Sequence, residues 1–428
     1  MKLACTGFIS TTAGSVSAAN ALLLKELLVR GLEIDFFSKP TFVDPRPIVG
    51  DATGFRFIAV TNTIADSVRQ KLEQLPLVGA AAGVADSYSY NRLLVRQITR
   101  ENRHRKYDLC LWLGDYARGA LSGLPTVSFP QGPPGTDARS ILGRLSEIRS
   151  LVGPMKALKW ELLARLRLSK LGIPPLQCSD HFIIGSRQSS STLQTLYSIA
   201  PDRISVLPYP IDLELFRPKA SFSTHGADPI NELSSPVGPT LNSSNGPLRI
   251  LWLGRIVPRK RLDVFLNGAL SAINQGIDLK ITMVGSSGFV SGYEAIIRSF
   301  PFQDRLEHRA WIDRSEVPAL LNQHDVLAQP SDEENFGSSV AEAQACGLPV
   351  IVGRSNGNAD YLSPRDIHLA DDRPETFANA LVEMSRRKNS PNWGEASTSR
   401  QAAKMNFRVD HVTDQLVRIL ETVCRRIR

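Results

Sequence analysis

The stretch "HDVLAQPSDEENFGSSVAEAQACGLPVIVG", residues 324–353, decides the fold, because it holds a complete strand–loop–helix–strand unit. "DVLAQPS" reads as a buried strand, apolar on successive residues as in a sheet covered on both faces. "SSVAEAQAC" follows as a helix closed by Gly347, with Pro349 two residues beyond, and "PVIVG" returns as a strand. The loop 332–337 therefore sits at a strand's carboxyl end. The helix begins near Ser338, so free N–H groups of Ser338 and Ser339 face a cleft and suit a phosphate or diphosphate. Glu334 stands in the loop, and Glu342 lies one turn inside the helix. Two carboxylates so placed suit an acid/base pair, a metal site or a clamp for sugar hydroxyls. A solvated Glu334, like Glu333, and a Glu342 that only supports the helix fit the spacing equally well.

The same unit recurs on both sides of this stretch. "LRILWLG" is a strand ending at Gly254, and "RLDVFLNGALSAINQG" is a helix ended by Gly276. Between them Arg255 and Lys260 follow in a Pro-containing turn, where two cations can neutralise a diphosphate. Arg259 and Arg261 crowd the same turn, as they would in a plain solvated basic turn. "LKITMVG" and "LEHRAWI" are further strands. In the first half, "KLACTGFIS", "LEIDFFS", "GFRFIAV", "YDLCLWLG", "LPTVSFP", "HFIIGS" and "ISVLPYP" read as strands. Ser17 is the expected cap of the first helix, "SAANALLLKELLVR", and Gly31 its end. Strands alternating with helices give a parallel sheet with both faces covered. The chain thus reads as α/β, with two doubly wound domains at 1–218 and 248–400, joined by a Ser/Pro/Gly-rich linker at 219–247. Such sheets bind ligands at the carboxyl ends of their strands, which places a substrate in the cleft between the domains.

Composition narrows the function. A net charge of +8 over 428 residues is a mild excess, compatible with an anionic small ligand or an anionic membrane face. No nucleic-acid-binding motif accompanies it. The five cysteines are scattered without a CxxC pair, which argues against a disulfide framework or zinc site and for a reducing cytoplasm. "MKLACTGFIS" lacks the apolar run that precedes a lipoprotein cysteine. There is no stretch of about 20 apolar residues to cross a membrane. "GSSGFVSG" at 285–292 fails the dinucleotide-binding spacing, and no P-loop, DxD, HExxH or EF-hand pattern occurs, so no metal is expected.

"GRIVPRKRLDVFLNGAL" followed by "HDVLAQPSDEENFGSSVAEAQACGLPVIVGRSNGNADYL" resembles the retaining GT-B glycosyltransferases of family 4, glycosyl transferases group 1. The likeness extends to "HFIIGSRQSSSTLQTL", "ISVLPYPIDLELFRP" and the C-terminal "DHVTDQLVRILETV", and it weakens before residue 180. The resemblance implies a GT-B fold of two Rossmann-like domains facing a cleft, with a C-terminal helix at 401–428 returning to the first domain. It implies Arg255 and Lys260 on a donor diphosphate, Glu334 on the transferred sugar and Glu342 on the nucleotide ribose. Gly254 and the backbone at Phe336, Gly337, Ser338 and Ser339 would line the donor site, with Gly14 opposite. The implied reaction is metal-independent transfer from a UDP- or GDP-sugar to a hydroxyl of a glycan or lipid-linked acceptor, as in polysaccharide biosynthesis at the cytoplasmic face of the inner membrane.

The first domain departs from that pattern. "PTVSFPQG" puts Gln131 where the family often carries His, and Gln cannot accept a proton at neutral pH. "PYPID" stands for the usual Pro-Asn-Gly-x-Asp, Gly14-Ser15 for a glycine pair, and Asn356-Gly357 for another. A catalytically degenerate protein that binds sugar nucleotide or glycan without turnover is the competing reading. His181 and His308 fall in or beside strands and read as structural. The segment 155–172, "MKALKWELLARLRLSKLG", mixes leucines with Lys and Arg at helical spacing, so it reads either as a helix lying on an anionic membrane or as a buried helix with a solvated basic face.

Overall fold

The computed structural model describes residues 1–10, 14–39, 45–50, 52–61, 76–219, 246–390, 393 and 397–427, with 76–89 and 397 given by backbone alone. Of the linker expected at 219–247, residues 220–245 lie outside the described residues.

Two all-parallel sheets form, as the alternation of strands and helices requires. The first contains β1 (Lys2–Gly7), β2 (Glu33–Ser38), β3 (Phe55–Ala59), β4 (Leu109–Gly114), β5 (Thr126–Pro130), β6 (His181–Ile184) and β7 (Ile204–Val206) in the order β3-β2-β1-β4-β5-β6-β7. The second contains β8 (Leu248–Leu253), β9 (Leu279–Val284), β10 (Leu306–Arg309), β11 (Val326–Gln329), β12 (Val350–Val352) and β13 (Ile367–His368) in the order β10-β9-β8-β11-β12-β13. β4, β5 and β11 are buried along their whole length, which explains why they read as unbroken apolar runs. β13 was not foreseen, since two residues carry no periodicity. The strand order reverses between β1 and β4 and between β8 and β11. Connections leave those neighbours in opposite directions and open a crevice at their carboxyl ends.

The first helix spans Ser15–Val29 and is capped by Gly14 (φ 69°), not by Ser17. Ser17 is the third helical residue, and its hydroxyl donates back to the Gly14 carbonyl at 3.1 Å. It cannot cap, because a capping side chain must stand before the first turn to accept from it.

Three helices between β5 and β6, Thr136–Gly143, Leu145–Val152 and Pro154–Leu168, leave the first sheet and lean on the second domain. Their Ala138, Ile141, Ile148, Ala157 and Ala164 share one apolar cluster with Trp252 of β8 and with Val264, Phe265 and Ala269 of the helix Leu262–Asn274. At the other end, the helix Val409–Ile427 packs on the first domain. Its Leu416 and Leu420 lie with Leu24, Leu27 and Leu28, and Arg30 Nε donates to Asp414 Oδ1 at 2.8 Å. The chain thus crosses between domains at both positions, and each domain buries apolar surface of the other.

Leu420 is fully buried in that contact. Leu420→Ala should cost about 2–5 kcal/mol, read as a lower denaturant midpoint. An unchanged midpoint would mean that the C-terminal helix contributes nothing to the first domain's stability.

Candidate active site

The loop after β11 is held by the turn that follows β12. Gly357 N–H donates to the Glu334 carbonyl at 2.8 Å, and Glu334 N–H donates to the Ser355 carbonyl at 3.2 Å. Asn358 Nδ2 donates to the Gly337 carbonyl at 2.6 Å and also to that of Phe336. Gly337 is left-handed (φ 69°), and a Cβ there would lie 2.9 Å from Asn356 Oδ1, so the position needs glycine. The Phe336 ring turns away from the cleft, with its centroid 5.7 Å from that of Tyr209 and 5.3 Å from that of Phe407. Its side chain anchors the loop, which leaves only backbone for a ligand. The helix Ser338–Ala345 then begins, and its first turn presents N–H groups that no helical carbonyl can satisfy. Ser339 Oγ accepts from Gln329 Nε2 at 2.8 Å, which fixes the first turn to β11.

The turn after β8 supplies the cations. Arg255 follows Gly254 (φ 140°), is exposed, and has no side-chain hydrogen bond or ion pair among the described residues. The one-turn helix Pro258–Lys260 then points two side chains at a single oxygen. Arg259 Nη1 lies 2.6 Å and Lys260 Nζ 2.5 Å from Glu334 Oε2. Arg259 Nε also reaches Asp137 Oδ1 of the first domain at 2.9 Å. Arg261 adopts a left-handed conformation (φ 55°) and turns elsewhere, pairing with Asp263 at 2.9 Å. The basic run 259–261 therefore divides into two residues that face Glu334 and one that holds a helix start. Burial pushes the Glu334 carboxyl up, but Arg259 and Lys260 outweigh it and hold the group at about 2. Burial pulls the Lys260 ammonium below its ordinary value, against the opposing pull of Glu334.

A cavity of about 560 Å³ lies between the domains. Arg255, Arg259, Glu334 and Asn335 line it from the second domain, and Gln131, Asp137, Arg118 and Arg167 from the first. Gln131 is thus brought to Arg255 and Glu334 across the cleft. Lys260 sits behind Glu334. The backbone of residues 336–339 stays outside this lining, as do Gly254 and Gly14, which caps the helix Ser15–Val29. Glu342 is also apart, with its side chain 3% exposed and Oε1 3.0 Å from Arg314 Nη2. That oxygen is buried without a hydrogen bond, and burial raises its carboxyl above the usual range despite Arg314. His181 Nε2 pairs with Ser205 Oγ at 2.8 Å and His308 Nε2 with the Gly285 carbonyl at 2.7 Å, and neither lines the cavity.

Sequence reasoning missed the first-domain partners of the loop. Arg139 pairs with Glu333 and Arg144 with Asp332, while Thr136 Oγ1 donates to Glu333 at 3.1 Å. Asn335 Oδ1 accepts from Gly185 N–H at 3.1 Å. No local pattern links residues this far apart; the one readable signal was a loop with more carboxylates than its own turn could neutralise.

The family model for glycosyl transferases group 1 matches residues 239–400. A D-inositol 3-phosphate glycosyltransferase of Xylanimonas cellulosilytica is 32% identical over 183 residues, which span 42% of either chain. The chain thus spans less than half the length of that curated relative. Among solved structures, sucrose-phosphate synthase from Thermosynechococcus elongatus superposes with a TM-score of 0.64 at 17% identity, over 99% of each chain. Anabaena Alr3699/HepE in complex with UDP-glucose gives 0.60 at 16% identity, over 98% of this chain and 99% of that one. At these identities the likeness is one of fold, and the fold is GT-B.

Glu334 offers a pH test. Its folded pKa is held near 2 against an ordinary value of 4.5. The pair therefore stabilises fully above about pH 4.5 and loses this contribution as pH falls toward 2. Glu334→Gln should cost about 3 kcal/mol at pH 7, with the gap to wild type closing below pH 4.5 in urea titrations. A gap that stays constant with pH would show that the carboxylate is not held by these cations.

Proposed function

The chain is a GT-B protein carrying a glycosyl transferases group 1 domain, and from that premise we propose that it is a retaining glycosyltransferase using a nucleotide sugar, UDP- or GDP-linked, as donor. The observation that carries this reading is the cluster at the carboxyl end of β8. There Arg255 has no side-chain partner among the described residues, Lys260 pairs with Glu334, and Arg259 is shared between Glu334 and Asp137, beside the start of the helix Ser338–Ala345. Three cations and a helix N-terminus suit a diphosphate. The solved complex of HepE with UDP-glucose supports a donor of that class on this fold.

In this reading the donor's diphosphate takes Lys260 from Glu334 and adds Arg255, so that positive charge comes from side chains rather than from a metal ion. Glu334, freed on one side, accepts hydrogen bonds from the transferred sugar. Glu342, whose Oε1 lacks a hydrogen bond, accepts one from the ribose. Breaking the bond between the anomeric carbon and the phosphate oxygen leaves negative charge on the diphosphate. Arg255, Lys260 and the backbone at Gly337, Ser338 and Ser339 stabilise that charge where it develops. The acceptor hydroxyl attacks from the same face, and its proton passes to the departing phosphate oxygen, so the sugar keeps its anomeric configuration. Because the phosphate oxygen takes the proton, this scheme needs no histidine base, and Gln131 lies across the cavity as a hydrogen-bond donor and acceptor for hydroxyl groups. The acceptor is a hydroxyl of a glycan or of a lipid-linked sugar.

A thermal-shift screen with UDP-, GDP- and ADP-sugars, followed by donor hydrolysis, tests this directly. One donor should stabilise the protein and turn over, and Arg255→Ala should lower kcat/KM by about 100-fold or more. No stabilisation by any donor would contradict the reading. Stabilisation without turnover across acceptors would instead identify a binding protein.

A further inference from the structure

Each sheet reverses its strand order once, and a crevice opens at the carboxyl ends of the two strands that flank the reversal. In the second domain that crevice holds Arg255, after β8, and Glu334, in the loop after β11. The matching crevice of the first domain lies between β1 and β4. Phe8 directly follows β1 and Asp115 directly follows β4, and both line the interdomain cavity together with Tyr116 and Arg118.

Fixed backbone carries these side chains. Phe8 N–H donates to the Leu113 carbonyl at 3.1 Å, and the Phe8 carbonyl accepts from Asn20 Nδ2 of the first helix at 2.9 Å. Phe8 is nevertheless 46% exposed. Gly114 (φ 84°) keeps the end of β4 clear beside its ring, since a Cβ there would lie 2.9 Å from Asn20 Nδ2 and 3.5 Å from Phe8 Cδ2. The loop after β4 is tied to β5 and the turn beyond it. Ala117 N–H donates to Ser128 Oγ at 2.9 Å, and the Tyr116 hydroxyl donates to the Gly132 carbonyl at 2.7 Å. Asp115 Oδ1 accepts from Tyr116 N–H at 2.7 Å and from Arg118 Nη2 at 3.3 Å. Asp115 Oδ2 has no hydrogen-bond partner among the described residues. The parallel pairing of β4 with β5 sets Gly114 beside Pro130, so Asp115 and Gln131 leave neighbouring strand ends together.

An aromatic face beside a carboxylate, a guanidinium and an amide selects one kind of ligand. The ring packs on an apolar surface of its own size. The carboxylate accepts from hydroxyl groups, and the guanidinium and amide donate to their oxygens. A pyranose satisfies both demands, because C–H groups cover its face and hydroxyls project from its edge. An alkyl chain in the same place would take water from Asp115 and Arg118 and return no hydrogen bond.

We propose that Phe8, Asp115, Arg118 and Gln131 form a sugar-binding subsite that holds the acceptor, a pyranose with one face on Phe8 and neighbouring hydroxyls on Asp115 and Gln131. A further hydroxyl of the same ring then points across the cavity to the donor side. That the bound sugar is an acceptor rests on the glycosyltransferase reading; that a pyranose binds here does not.

Saturation-transfer NMR on the full chain without donor tests the binding. The probes are the methyl glycosides of glucose, mannose and galactose, with cyclohexanol, which has an apolar face and one hydroxyl, as the comparison. At least one glycoside should take up saturation from wild type, and cyclohexanol should not. Phe8→Ala and Asp115→Asn should each lower the affinity for that glycoside about tenfold. Their thermal stability, and its shift by the donor, should stay those of wild type. Phe8→Ala carries the test if Asp115→Asn fails to fold. With a donor that turns over, the same variants should raise the KM for the glycoside by a similar factor. No signal from any glycoside, an equal signal from cyclohexanol, or unchanged affinity in Phe8→Ala overturns the proposal. So does a signal that Glu334→Gln abolishes and Phe8→Ala keeps, since the sugar would then sit on the donor side. Because the donor's thermal shift is read separately, failure of the subsite leaves the transferase reading standing, and failure of that reading leaves the sugar-binding site standing.

Discussion

Glu334 is mostly buried between Arg259 and Lys260 at the edge of the interdomain cavity, and the loop that carries it is also held from the first domain. Removing an ion from water costs several kcal/mol, which only close and well-hydrogen-bonded partners offset. Two cations on one carboxylate would leave an excess, and Arg259 resolves it by reaching Asp137 on the other domain. The neighbouring acids of the loop do the same in reverse, Asp332 with Arg144 and Glu333 with Arg139. The donor loop is thus neutralised from two sides, and the three helices between β5 and β6 are drawn onto the second domain. Backbone approach completes the closure. A Cβ at Gly185, just after β6, would lie 3.0 Å from Phe336 Cβ, so the backbone there meets this loop closely.

The same cluster explains why the cleft suits a diphosphate. In the proposed reaction one anion replaces another at Lys260, so the buried cation is never left without a partner. Arg255 stands free to add to the charge that the leaving group acquires. In this scheme the cations move onto the diphosphate when the donor binds, so they are in place before the bond breaks and charge develops. The interdomain pairs bear on entry of the donor as well. Each joins the second domain's loop to the first domain, so opening the cleft exposes Asp332, Glu333 and Arg259 to water together.

Most strands were legible because parallel sheets bury both faces, and short unbroken apolar runs between turn signals, such as 109–114 and 350–352, fit such strands. Arg255 and Glu334 were legible as a cation and a carboxylate at two strand ends of one sheet. Arg259 was not, because it stands beside Lys260 and Arg261 in sequence and only the left-handed turn at Arg261 decides which cations face inward. Glu342 was placed correctly on its helix, but its Arg314 partner lies on a separate element, and nothing local announces the pair. The first-domain arginines were invisible for the same reason, since ion pairs across nearly 200 residues leave no periodic trace. The segment 155–172 was read either as a helix lying on an anionic membrane or as a buried helix with a solvated basic face; the structure buries Ala157 and Ala164 and leaves Leu158, Leu162 and Leu166 exposed.

The central claim is that a donor diphosphate displaces Glu334 from Lys260. A crystal structure with the nucleotide sugar that most stabilises the protein tests it most directly. The account expects diphosphate oxygens within hydrogen-bonding distance of Arg255 and Lys260, with Glu334 turned to the sugar hydroxyls. A diphosphate bound elsewhere, with Glu334 still held between Arg259 and Lys260, would contradict it.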